Sequence, residues 1–237
     1  MKRGERAVLF NGRGREVTAE IVDLATGRVR PDGGLARDEI RFRKVHETKT
    51  PPLRCRITLA QAIPKGKNME LIVQKAVEIG ASEIAPLISE RTIVDLAAKE
   101  AEQKQAKWQQ VAIEAAKQCG QNWLPQVHAP RKLKDFFAQQ SGFDLRLIGS
   151  LQPDAIHLKK ILADYADQHG SAEGRIRHGE HLPTSVLMLV GPEGDFTPAE
   201  LALAKSHGCL PITLGPIVLR VETAAIYCLS ILSYELL

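Results

Sequence analysis

Apolar residues recur along this chain in two rhythms, and the change from one to the other divides it. Over residues 1–60 they come in short runs broken by turns: Ala7–Phe10, the turn Asn11-Gly12-Arg13-Gly14, Val17–Val22, then Leu53–Leu59. Pro31-Asp32-Gly33-Gly34 is a second turn signal, and Thr50-Pro51-Pro52 reads as a stiff connector before the last of these runs. Short strands at this spacing predict a small β-barrel or sandwich. Beyond residue 67 longer periodic stretches take over. Asn68 is placed to cap a helix running to Ile79 and ended by Gly80, and Ile84–Ile88 reads as a buried strand. Leu96 to Cys119 predicts a long polar helix, ended by Gly120, with Trp108, Val111, Ala112 and Ala115 on one stripe. Helix Leu133–Gln140, strand Leu145–Ile148 and helix Ala155–Ala166 follow, then a polar loop over Gln168–Thr184. Val186–Val190 is an apolar strand. Thr197-Pro198-Ala199-Glu200 joins a capping box to a proline at the first helical position, which marks a helix start. Strand Leu210–Leu214 and a helix from about Glu222 complete the pattern. Strands alternating with helices predict an α/β domain with a mostly parallel sheet.

Composition adds exclusions. The chain has 237 residues, of which 44% are hydrophobic, 25% charged and 5% aromatic, so disordered and fibrous classes are out. The longest uncharged stretch near the end, Thr223 to Tyr234, is too short to span a bilayer. Met1-Lys2-Arg3-Gly4-Glu5-Arg6 lacks the apolar core of a secretion signal. Cys55, Cys119, Cys209 and Cys228 form no C-x-x-C pair, which argues against a zinc ribbon or disulfide framework and fits a reducing cytoplasm. A cytoplasmic location is therefore expected.

Charge is unevenly spread. Residues 1–67 hold 16 Lys and Arg against 8 Asp and Glu, whereas the rest of the chain is mildly acidic. Arg37, Arg41, Arg43 and Lys44 cluster, and Arg54 and Arg56 alternate with Leu53, Cys55 and Ile57, which puts two arginines on one strand face. A basic end on an acidic body suggests contact with a polyanion, although a solvated surface explains the same charges.

Candidate chemistry lies in two loops at predicted strand ends, the edge where open α/β sheets bind ligands. The first is Val190-Gly191-Pro192-Glu193-Gly194-Asp195-Phe196; the second runs from Leu214-Gly215-Pro216 through Ile217-Val218-Leu219-Arg220-Val221-Glu222-Thr223-Ala224. Their glycines let backbone approach a ligand, and each loop leads into a helix N-terminus. Neither matches a phosphate-binding G-x-x-x-x-G-K-[ST] or a dinucleotide G-x-G-x-x-G, which disfavours a nucleotide-dependent oxidoreductase. As bare strand–turn–helix connections both also have a purely structural reading.

Taken in order, Leu189-Val190-Gly191-Pro192-Glu193-Gly194, Leu214-Gly215 and Leu219-Arg220-Val221-Glu222-Thr223-Ala224 resemble the RsmE-type branch of the SPOUT methyltransferases, the 16S ribosomal RNA uridine-N3 methyltransferases. Two upstream stretches carry the same resemblance. One is Lys67-Asn68-Met69-Glu70 with Gln74-Lys75-Ala76-Val77-Glu78-Ile79-Gly80, Pro86 and Ser89-Glu90-Arg91. The other is Lys107-Trp108, Glu114-Ala115, Gln118-Cys119-Gly120 and Pro125. The resemblance implies a PUA-like β-barrel that binds RNA over residues 1–64 and a trefoil-knotted, mostly parallel α/β methyltransferase domain over 65–237. It implies a homodimer packed through the last helix, here apolar almost all round. It also implies an S-adenosylmethionine pocket formed by Gly149, Ser150 and Leu151, by Val190, Gly191, Pro192, Glu193 and Gly194, and by Leu214, Gly215, Ile217, Leu219, Thr223 and Ala224. Arg91, Gln118 and Lys75 are the candidates for contact with the substrate RNA, and no metal is required.

Uridine N3 must lose its proton as it attacks the methyl group, and charge then spreads onto two carbonyl oxygens. Arg220 is the candidate cation to stabilise it. Glu222 has three readings: proton acceptor, orienter of Arg220, or cap of the last helix. His178 and His181 lie in the polar loop and are read as solvated. The chain departs from the family pattern at Gln121 and Ile217, where arginine is usual, and at Asp195, where glycine is commoner. Met1-Lys2-Arg3-Gly4-Glu5 matches the point where the family's usual opening stretch ends, so either the start codon lies further upstream or the barrel is short of a strand. A different RNA target, or an RNA-binding protein without catalysis, stays open as an alternative.

Overall fold

The structure, a computed structural model, describes residues 2–25, 39–92, 98–139, 142–169 and 182–237. The turn at Pro31–Gly34, Arg37, the start of the long helix at Leu96, Gln140, and His178 and His181 lie outside the described residues. Two compact units divide the chain, Met1–Pro52 and Leu53–Leu237.

The first unit is a three-stranded antiparallel sheet in the order β1 (Arg6–Phe10), β2 (Arg15–Ala25), β3 (Glu39–Lys49). Its hairpin closes at Asn11, whose side-chain oxygen accepts from the backbone N–H of Arg13 at 2.8 Å and of Arg15 at 3.1 Å. In the sequence, strand β3 shows only as a cluster of charges. It is exposed along both faces, so it carries no period-two apolar signal. Charge pairs tie it to its neighbour: Arg43 to Glu20 at 2.7 Å and Arg15 to Glu47 at 2.6 Å.

The second unit is a doubly covered parallel sheet. In chain order it contains β4 (Arg56–Ala62), α1 (Asn68–Ile79), β5 (Glu83–Ile88), α2 (Ala98–Cys119), β6 (Gln126–Val127), β7 (Arg131–Lys132), α3 (Leu133–Gln139) and β8 (Leu145–Gly149). Then come β9 (Ile156–His157), α4 (Leu158–His169), β10 (Ser185–Val190), α5 (Pro198–Ser206), β11 (Leu210–Thr213) and α6 (Val221–Leu236). The strand order is β6-β5-β4-β10-β8-β11-β9, with β7 pairing β5, and every pairing is parallel. Alternate residues divide the two faces. Ala60, Ala62, Leu187 and Leu189 pack with Phe136 and Phe137 of α3 and Leu201 of α5. On the opposite face α6 packs on β4 and β10, and α1 packs on α2 and α6.

Three expectations are corrected. The strand at Leu53–Leu59, assigned to the barrel with a boundary at residue 64, is instead β4, between β5 and β10 in the parallel sheet. The run Ile57–Ala62 is buried on both faces, as a central parallel strand requires and a barrel strand facing water does not. Asn68 does not cap α1. Lys67 holds that position without a side-chain bond, and Asn68 is the first helical residue. The helix expected at Ala155 begins at Leu158, because Ile156 and His157 pair with β11. Gly80 ends α1 at φ 99° and the Thr197–Glu200 capping box forms in full, as expected.

Candidate active site

Strands β10, β8 and β11 lie side by side, so the connections leaving their carboxyl ends converge. The sheet reverses its strand order there, since the chain leaves β8, returns to β10 on one side and then passes to β11 on the other. A cavity of about 280 Å³ opens between these connections. Gly149, Ser150 and Leu151 form one wall, Val190 to Asp195 a second, and Thr213, Leu214, Gly215 and Ile217 to Val221 the third, with Ala224 of α6 at its base. Thus all the residues proposed from sequence to hold a cofactor line one cavity except Thr223, which faces outward from the first turn of α6. Asp195, Thr213, Val218 and Val221 join the lining without having been singled out for it.

The first Gly-Pro loop folds by turn chemistry. Asp195 donates its backbone N–H to Pro192 O at 3.1 Å, and the third residue of the turn, Gly194, has φ 88°. Phe196 then plugs the core. Gly191 is needed for the fold-back itself. A Cβ there would lie 3.3 Å from Asp195 Oδ1, Phe196 Cδ2 and Phe196 N, so it would press on the loop before it met any ligand. Gly215 is the opposite case. At φ 111° a Cβ would meet nothing within 4 Å, so it is the left-handed backbone and not crowding that calls for glycine there.

Arg220 lines the mouth and is exposed, with no hydrogen-bonding or ionic partner among the described residues. Glu222 does not line the cavity. One of its carboxylate oxygens accepts from Asn68 Nδ2 at 3.3 Å, so Asn68 and not Arg220 is the group it meets. None of the three RNA-contact candidates lines the cavity itself, although Arg91 touches two residues that do. Arg91 donates from its guanidinium to the carbonyls of Gly194 and Asp195. Lys75 pairs with Glu78 at 2.8 Å on α1. Gln118 is exposed near the end of α2.

Two further anchors were not foreseen. Glu193 accepts from the backbone N–H of Lys65 at 3.1 Å and 3.4 Å. Buried Glu200 accepts from Ser89 Oγ at 3.2 Å and from the N–H groups of Glu90 and Thr197 at 3.0 Å and 2.9 Å. The latter fastens the end of β5 to the start of α5. Only its capping-box half had a local sequence signal.

Residues 51–233 match the RNA methyltransferase domain family. Over 230 residues the chain is 29% identical to the ribosomal RNA small subunit methyltransferase E of Synechocystis, covering 97% of this chain and 66% of that relative. A solved methyltransferase from Legionella pneumophila, in complex with S-adenosylmethionine, superposes with a TM-score of 0.78 at 33% identity, covering 99% of this chain and 84% of that one. The ribosomal RNA small subunit methyltransferase E of Neisseria gonorrhoeae, bound to the same cofactor, gives 0.76 at 28% identity, with 99% and 84% covered.

Proposed function

Because this chain belongs to the RNA methyltransferase domain family, we propose that it transfers the methyl group of S-adenosylmethionine to N3 of a uridine in the 16S RNA of the small ribosomal subunit. The observation that carries this reading is the convergence of three strand ends on one glycine-lined cavity with an unpaired arginine at its mouth. The cavity offers what such a cofactor needs. It has apolar surface at Leu151, Ile217 and Leu219 for a flat base and backbone polar groups at the three strand ends.

When bound, the cofactor supplies an electrophilic methyl group; the chain supplies position and charge. The three walls fix the donor side, and holding the acceptor nitrogen in line removes an entropic part of the barrier. As the imide proton leaves, negative charge grows on the uracil carbonyl oxygens. Arg220, always charged and without a protein partner, is the group that stabilises it. Glu222 lies outside the cavity lining, its carboxylate held by the amide of Asn68, and is the proposed proton acceptor by way of solvent at the cavity mouth rather than by direct contact with the uracil.

The same reading carries several further proposals. The N-terminal unit is a PUA-like RNA-binding module, supported by its antiparallel sheet and by the 12 Lys and Arg against 8 Asp and Glu of residues 1–52. The second unit is a SPOUT trefoil knot, supported by the back-and-forth strand order. The chain works as a homodimer through α6. Support for that lies in the outward Tyr227 and Tyr234, 41% and 88% exposed on a largely apolar helix. Its substrate puts it in the cytoplasm, and no described helix is long and apolar enough to cross a membrane.

Calorimetric titration tests the cofactor. S-adenosylmethionine should bind, and NADPH should not. Binding of NADPH with no response to S-adenosylmethionine would overturn the reading.

A further inference from the structure

Asp195 is the one residue other than glycine with positive φ among the described residues, at 70°. A side chain rarely adopts this conformation without a compensating contact, and aspartate tolerates it better than most. Here the contacts are on both sides of the residue. Its Oδ2 accepts from the backbone N–H of Leu151 at 3.1 Å, and its Oδ1 from the N–H of Phe196 at 2.8 Å. Its own carbonyl, with that of Gly194, faces the guanidinium of Arg91. One residue thus joins the end of β8, the loop after β10 and the segment after β5. The first two are opposite walls of the cavity.

We propose that Asp195 is a positioning residue that clasps the β8 and β10 walls together and so presets the cavity for its cofactor. This rests on the methyltransferase reading above. The clasp works through backbone geometry. The carboxylate occupies the Leu151 N–H, which fixes the direction in which Gly149–Leu151 leaves the sheet. The left-handed backbone lets the carbonyl face Arg91 while the side chain crosses to Leu151. Gly191 completes the arrangement, since a Cβ there would strike Asp195 Oδ1 at 3.3 Å. A glycine at 195 would suit the backbone equally well but leave the two walls unlinked. An ordered cavity binds more tightly because less freedom is lost on binding.

The test compares Asp195→Gly with Asp195→Asn in the full-length chain, since both residues accept the left-handed conformation. Dissociation constants for S-adenosylmethionine are measured by calorimetry, and KM and kcat on small-subunit ribosomal RNA by methyl transfer. Asp195→Gly should weaken cofactor binding about tenfold, the effect of one charge-assisted hydrogen bond, and raise the cofactor KM in proportion. At saturating cofactor, kcat should fall by far less. Asp195→Asn has one acceptor oxygen where the carboxylate has two; with that oxygen on the Leu151 N–H its amide nitrogen faces the Phe196 N–H, so it should recover part of the affinity and lie between Asp195→Gly and wild type. Equal affinities for wild type and Asp195→Gly would overturn the clasp, as would a fall in kcat with no change in affinity. Failure of the wild type itself to bind would count against the methyltransferase reading.

Discussion

At the N-cap of α6, Arg220 sets a guanidinium against the positive end of the helix dipole and makes no capping hydrogen bond. Relative to serine at that position this costs the helix about 1 kcal/mol. A residue kept only to pin the helix start would not be of this type. Arg220→Ser should therefore leave the melting temperature unchanged or raise it by about 2–4 °C. Its single-turnover rate of methyl transfer should fall by about 10²–10³. A lower melting temperature with an unimpaired rate would assign Arg220 to structure instead. The two Gly-Pro loops at strand ends are legible locally as candidate sites, whereas a role for a single residue such as Arg220 follows only from the family resemblance. What stayed hidden were contacts across the chain. Asp195 meets Leu151 across 44 residues and Asn68 meets Glu222 across 154. In each case both partners have ordinary local explanations, a turn residue and a helix cap, that compete with the true ones.

Among the elements, those with a continuous apolar run or with caps at their ends are readable: the strands β5, β8 and β10, α1 with Gly80, and α5 with its capping box. Strand β3 is not, because it is exposed on both faces, and β4 was given to the wrong unit. Its arginines at the start suggested a solvated strand. Arg56 instead lies at the strand's mouth, stacked over Phe143 with 5.2 Å to the ring centroid and paired with Glu83 at 3.4 Å. Glu83 also meets His128 at 2.9 Å, and so links the starts of β4 and β5 to the end of β6. The hydrogen bond with His128, aided by the charge of Arg56, holds the Glu83 carboxyl below its ordinary value of 4.5 against the opposing effect of burial. A carboxyl whose pKa is lowered by folding stabilises above its unfolded pKa and loses that contribution as pH falls through the folded one. Glu83→Gln should therefore unfold at a lower urea concentration than wild type at pH 7, and the two midpoints should converge as pH falls below 4.5. A gap that persists unchanged into acid would contradict the ion pair.

On the scale of the whole molecule, the sequence disclosed the class, an α/β domain with a small β unit ahead of it, but not the order of the strands. Parallel strands of similar apolar composition carry no label for their neighbours, so the insertion of β10 between β4 and β8 was not readable from periodicity. Charge was readable, and it bears on the substrate. With 16 basic and 8 acidic residues among the first 67, RNA binding should weaken steeply with salt. Arg41, exposed on β3, should contribute about one phosphate contact. Arg41→Ala should then lower the slope of log affinity against log salt by about 0.7–0.9. A wild-type slope near zero would detach the basic end from RNA. The proposed reaction, methylation of uridine N3 in the RNA of the small ribosomal subunit, leaves a chemical mark that can be read in cells. The most direct measurement is mass spectrometry of nucleosides released from that RNA, isolated from cells with and without the gene. N3-methyluridine should be present with the gene, absent without it, and restored by the wild-type chain but not by Arg220→Ala. An undiminished level of N3-methyluridine in cells lacking the gene would contradict the account.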